Sequence, residues 1–212
     1  MDVPDRSGSW DPKKVHSTFL GSTAKRLLDA ESIKQNIDDI RGDVVADLVD
    51  RFVRPNSIDE QWDLQGLDAE LAAEFNLSQS IAKSVQEKTE IDAEGIAALA
   101  QTEVAKLFDD KEVAIGSETM RMLEKHLMLT VLDQSWKEHL GRMDYLRQGI
   151  HLRGYAQKQP KQEYKKEAFE LFSELLEKVK REVISLLARV RIRSEEEIAQ
   201  AEAAERARAE AI

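Results

Sequence analysis

A site that transfers or hydrolyses phosphate needs a glycine-rich loop of the form G-x-x-x-x-G-K-S/T, whose backbone N–H groups and lysine cradle the phosphates. None of the nine glycines in this chain of 212 residues opens such a run. There is no H-E-x-x-H zinc signature either, and His16, His126, His139 and His151 are scattered with no two at metal-ligand spacing. Each reads as an ordinary surface or interhelical histidine. Cysteine is absent, which removes disulfides and thiolate metal sites and fits a reducing cytosol. The abundant carboxylates fall on amphipathic patterns and read as a solvated face. The residues therefore describe a mechanical or binding element, with no catalytic, cofactor-binding or metal-binding side chain expected.

One cluster is unlike the rest. Arg142, Arg147, Arg153, Lys158, Lys161, Lys165 and Lys166 crowd into one stretch, opposed there by only Asp144 and Glu163. On a chain of formal charge −10 this is an electrostatic address for something negative or rich in carbonyl groups. Tyr155 lies within it beside Gly154, an aromatic ring with one polar handle in a connection that offers little core to fill. Trp62 and Trp136 fall on apolar stripes and read as core anchors.

Helices must position this cluster. Apolar residues make up 42% of the chain and charged residues 34%, while aromatics are only 6%. Unbranched Ala, Glu, Leu and Lys dominate, and such side chains lose little freedom in a helix. The expected class is all-α: a small helical domain followed by a long antiparallel two-helix hairpin. Residues 1–31 read as a loose arm or leader, interrupted by Gly and Ser, with at most a short helix near Lys25 to Leu28. Residues 32–116 form the small domain. Its first helix starts at Ser32, which with Gln35 makes a capping box, and carries Ile33, Ile37, Ile40, Val44, Leu48 and Phe52 on one face until Pro55 stops it. Short helices follow over 67–75, 80–86 and 92–113. They share a core for which Trp62, Leu64, Leu67, Phe75, Ile81, Val85, Ile96, Leu99, Val104 and Phe108 are the candidates.

Residues 117–193 form the hairpin. Ser117 is the expected N-cap of a long helix whose stripe runs through Met120, Leu123, Leu127, Val131, Leu132, Trp136, Leu140, Met143, Leu146 and Ile150. Pro160 suits the first turn of its partner. There Phe169, Phe172, Leu176, Val179, Val183, Leu186 and Val190 alternate spacings of three and four, a heptad seam that demands a second helix. About 30 residues at ~1.5 Å each give a hairpin some 45 Å long. Residues 194–212 read as a charged tail.

The acidic balance argues against nucleic acid as a partner, since it repels phosphate backbones. No run of about 18 apolar residues exists to span a bilayer, and the N-terminus lacks a secretion signal, so a cytoplasmic chain is the simplest reading.

Within the hairpin, Leu132-Asp133-Gln134-Ser135-Trp136-Lys137-Glu138-His139-Leu140 strongly resembles a segment of the SecA family of preprotein-translocation motors. So do Met143–Lys158 (MDYLRQGIHLRGYAQK) and Pro160–Tyr164 (PKQEY), while Ser57–Leu67 (SIDEQWDLQGL) is similar to that family's helical wing. The resemblance covers about residues 32–193. It implies a C-terminal portion of such a motor, with 32–116 the wing and 117–191 the two-helix finger and later helical scaffold. It implies too that Tyr155, with Gly154 and Arg153, is the finger tip that meets the unfolded preprotein. Lys158 and Lys161 would face the SecYEG channel, and Trp136 and Arg142 would communicate with the nucleotide-binding domains. ATP and Mg²⁺ would be held by domains that this chain lacks, so the chain is not expected to be an ATPase alone. Further implied partners are the remaining SecA domains and an anionic membrane surface, placing the chain at the inner face of the plasma membrane. An apolar face left bare by missing scaffold would favour self-association. The alternative is a stand-alone helical adaptor or inhibitory binding module without motor activity.

Overall fold

The computed structural model describes residues 11–29, 33–54, 61–78, 80–87, 91–150 and 159–191. Seven helices occur among them and no strand, so the all-α expectation holds. They are α1 (Pro12–Asp29), α2 (Ile33–Phe52), α3 (Leu64–Phe75), α4 (Ile81–Glu87), α5 (Ala93–Ile115), α6 (Ser117–Gly149) and α7 (Pro160–Arg189).

Local chemistry sets several boundaries. Asp63 caps α3, its carboxylate accepting from the Gly66 N–H at 2.8 Å. A side chain at Gly66 would collide with that carboxylate and with the Phe52 ring, so glycine is required there. Asn76 ends α3 in the left-handed conformation that asparagine tolerates. Asp68, inside α3, then caps α4: its carboxylate accepts from Ser80 Oγ at 2.5 Å and from the Ile81 N–H at 2.7 Å. Asp92 caps α5 through the Gly95 N–H at 2.8 Å. Between α5 and α6 the chain turns at Gly116, whose φ of 82° suits glycine alone. Gly116, not Ser117, is therefore the N-cap of α6, and Ser117 is the first helical residue. The expected Ser32 capping box and the stop at Pro55 lie outside the described residues, as does the tail beyond 191.

The core of the small helices matches its expectation. Leu67, Phe75, Ile81, Ile96, Val104 and Phe108 are buried, with Trp62, Leu64, Val85 and Leu99 packed partly buried against them. Ile33, Ile37, Val44 and Leu48 of α2 join that core. The Arg41 guanidinium lies 5.1 Å over the Phe108 ring, covering its outer face.

The main departure is at the N-terminus. In place of a loose arm, an 18-residue helix runs from Pro12 to Asp29. Pro12 sits at its first position, where the missing N–H costs nothing, and the helix continues through Gly21 and Ser22. It forms because α6 and α7 offer a surface for His16 and Leu20, both buried.

Candidate functional site

Helices α6 and α7 have 33 and 30 residues, so each is about 45–50 Å long. They run antiparallel. Glu138 pairs with Lys178 at 2.5 Å and Arg142 with Glu174 at 2.6 Å, the partner number falling on α7 as it rises on α6. All four side chains are about half exposed, so these pairs add little stability but fix the register.

The line of closest packing is offset from the expected stripes. On α6 the buried residues are Met120, Glu124, Met128, Val131, Ser135, His139 and Met143, with Leu123, Leu127, Leu132 and Trp136 flanking them partly buried. On α7, Ala168, Leu175, Val179, Val183, Ile184, Leu187 and Ala188 are buried. Phe169, expected in the seam, is 69% exposed, and Phe172, Leu176 and Leu186 are partly buried. The small Ala168 occupies the tight position, which lets the helices approach closely and turns the Phe169 ring outward.

Of the three buried polar side chains on that line of α6, Glu124, Ser135 and His139, two are titratable. Glu124 is 2% exposed, and one carboxylate oxygen receives Arg121 at 3.0 Å while the other has no hydrogen-bond partner. Burial pushes its carboxyl up to about 7, outweighing the pull of Arg121. Arg121 also holds Glu112 at 2.9 Å, which accepts Lys34 at 2.9 Å, so the cluster joins α2, α5 and α6. The second group is His139, also 2% exposed. Its Nε2 faces Nδ1 of His16 on α1 at 3.2 Å, one of the two nitrogens carrying the shared proton. Phe172 stacks on His16 at 4.2 Å between ring centres, and Trp136 stacks on His139 at 5.3 Å. Burial, then the charges of His16, Arg142 and Lys13, lower His139 to about 4. Burial also lowers His16, against the opposing charge of Asp11. Lys13 completes this contact by pairing with Asp144.

Sequence reasoning missed the imidazole pair, because 123 residues separate its members. His139 was the legible half: it stands four residues from both Ser135 and Met143 on the buried line of α6. Nothing in the α1 sequence marks His16.

Of the residues singled out from the sequence, Trp136 is partly buried beside His139, and Arg142 lies on the outer surface bound to Glu174. Lys161 is exposed in the first turn of α7. Arg153, Gly154, Tyr155 and Lys158 lie outside the described residues. Near this end two further cations meet acids: Arg147 approaches Asp144 at 3.4 Å and Lys166 approaches Glu170 at 3.8 Å. Tyr145 is 80% exposed, on a groove shared by Leu146 of α6 and the following Ile150 with Leu171 of α7.

No group of three or more metal-ligating side chains occurs among the described residues, and no described helix is long and apolar enough to cross a membrane. Fold and site together define a helical scaffold, a cluster of small helices from which a long antiparallel pair extends. Residues 22–191 match the SecA wing and scaffold domain, and the chain belongs to that family. It is 70% identical over 185 residues to the protein translocase subunit SecA of Xanthomonas axonopodis pv. citri (strain 306), covering 87% of this chain and 20% of that protein. The same shares hold for SecA of Xanthomonas euvesicatoria pv. vesicatoria (strain 85-10), and SecA of Stenotrophomonas maltophilia (strain R551-3) is 68% identical over 185 residues. The chain spans about a fifth of the length of these curated relatives.

Proposed function

We propose that this chain supplies the wing and the moving arm of a SecA-type protein-translocation motor. The observation that carries this reading is the α6–α7 pair: two helices of about 45 Å, in fixed antiparallel register, within the region that matches the family. Such a pair resists bending, because flexing it would pull Val179 and Val183 of α7 out of close packing. It therefore transmits a displacement applied at one end to the other.

In this reading Tyr155, flanked by Gly154 and Arg153, touches an unfolded preprotein at the mouth of the SecY channel. A tyrosine suits this task, since its ring stacks on side chains of any sequence while its hydroxyl meets backbone carbonyls. Lys158 and Lys161 face the channel or anionic headgroups at the inner membrane surface. Trp136 and Arg142, further down the first long helix, receive motion from the nucleotide-binding parts of the motor. ATP and Mg²⁺ belong to those parts, and the chain alone hydrolyses nothing.

The test is a graft. Residues 22–191 replace the matching segment of a full-length Xanthomonas SecA, and ATP-driven import of a preprotein into SecYEG proteoliposomes is measured. Import within a few-fold of the parent supports the reading. A folded, nucleotide-binding chimera that imports nothing contradicts it.

A further inference from the structure

The first ten residues of α1 precede the region that matches the family, yet they pack on the middle of the α6–α7 pair. Their grip is specific. His16 reaches His139 at 3.2 Å and stacks on Phe172, Phe19 meets the edge of that same ring at 5.6 Å, and Lys13 pairs with Asp144. We infer that the His16–His139 contact is an acid-labile latch, which holds α1 on the α6–α7 pair while neutral and releases it when protonated, baring the Trp136–Phe172 face.

The chemistry of the pair is asymmetric in charge. A neutral pair needs one N–H and one bare nitrogen between the rings, and it satisfies both. A first added proton places a cation beside Lys13 of α1 and Arg142 of α6, in a pocket whose α7 side is the Phe172 ring. A second sets N–H against N–H and breaks the contact. Asp11, just before α1, favours the charged form of His16, but Asp144 is engaged by Lys13 and Arg147, and Glu174 of α7 is engaged by Arg142. The neighbouring anions thus offer the new charge little relief.

The sign follows from linkage. Docking α1 buries both imidazoles and lowers their pKa values, so protonation does not oppose docking above about 6.5 and weakens it as the pH falls. For His139, burial and the charges of His16 and Lys13 hold the pKa at about 4. Trp136, Phe172 and Arg142 stay beside it when α1 leaves, so docking weakens at pH 5 by at most roughly thirtyfold, the limit in which undocking restores the ordinary 6.5. The Lys13–Asp144 pair survives this window, because hydrogen bonding to Lys13 holds the Asp144 carboxyl below its usual range. Release therefore reports on the imidazoles.

The chain has no cysteine, so two can be placed freely. Spin labels at Ser17→Cys and Gln134→Cys, both exposed, read the α1–α6 distance in the full chain. A single short distance at pH 7.5, with a longer population growing as the pH falls through about 5, is expected. The double variant His16→Gln with His139→Gln should keep the short distance to pH 4. Release at an unchanged pH in that variant overturns the latch, as does an unreleased wild type at pH 4. Histidine proton resonances of the unmodified chain give an independent reading. Two resonances titrating together with release support the latch, and all four titrating near 6.5 with α1 still docked refute it.

Discussion

Lys111 of α5 donates to the carbonyl oxygen of Val190, 79 residues later in the chain, at 2.7 Å. The same ammonium reaches the Leu187 carbonyl at 2.9 Å and that of Ala188. The last carbonyls of a helix have no partners inside it, and a cation there also meets the negative end of the helix dipole. One lysine thus closes α7 and ties it to the small helices, although burial lowers its own pKa. Lys111→Met keeps the stem and removes the three donors, so unfolding in urea should come about 1.5–3 kcal/mol easier. Lys106→Met, on the same helix but exposed, should change stability by less than about 0.5 kcal/mol.

Glu124 makes stability depend on pH in a definite direction. Its carboxyl titrates at about 7 in the folded chain, against an ordinary value of 4.5. An acid raised on folding keeps its proton while the unfolded chain releases one. Its contribution is therefore full below about 4.5 and is lost as the pH rises through 7. Against a Glu124→Gln variant, which stays neutral and still accepts from Arg121, the wild type should lose on the order of 2 kcal/mol between pH 5 and pH 8. Urea midpoints of both proteins at the two pH values measure this.

The seam can be separated from its neighbours by two substitutions on α7. Val183 is fully buried and Phe169 is 69% exposed. Val183→Asp should abolish cooperative unfolding or cost more than about 3 kcal/mol, since it buries an unpaired charge. Phe169→Asp should fall within about 0.5 kcal/mol of wild type. Equal melting of the two variants would show that the packing line has been placed wrongly.

How much of this was legible depends on what each helix needs. The periods of α2, α5, α6 and α7 were written in their own side chains, and Pro160 and Asp92 marked two starts. The α1 helix was not. Gly21 and Ser22 read as breakers, and only the surface provided by α6 and α7 gives His16 and Leu20 a reason to be helical. Phe169 misled because a seven-residue spacing does not say which side of a stripe faces inward, and the small Ala168 beside it was passed over. Glu124 was read as part of a solvated face because a polar type argues against burial, and His139 as a surface or interhelical histidine. Both positions lie on the buried line, and His139 is interhelical. Arg142 was grouped with a basic end, yet Glu174 opposite it becomes visible only once the helices are paired.

A tip residue should act in function and not in folding. Tyr155→Ala is expected to leave the melting temperature of the chain nearly unchanged. In the grafted motor the same substitution should slow preprotein import severalfold or more, with nucleotide binding retained.

The most direct test of the proposed role is a photo-cross-linking amino acid at position 155 of the grafted motor, with a preprotein stalled in SecYEG. Cross-links to the preprotein that require ATP, and that vanish when the photoreactive group is moved to exposed Lys137, are the expected result. A well-folded, ATP-hydrolysing chimera that cross-links to neither preprotein nor SecY from position 155 would contradict the account.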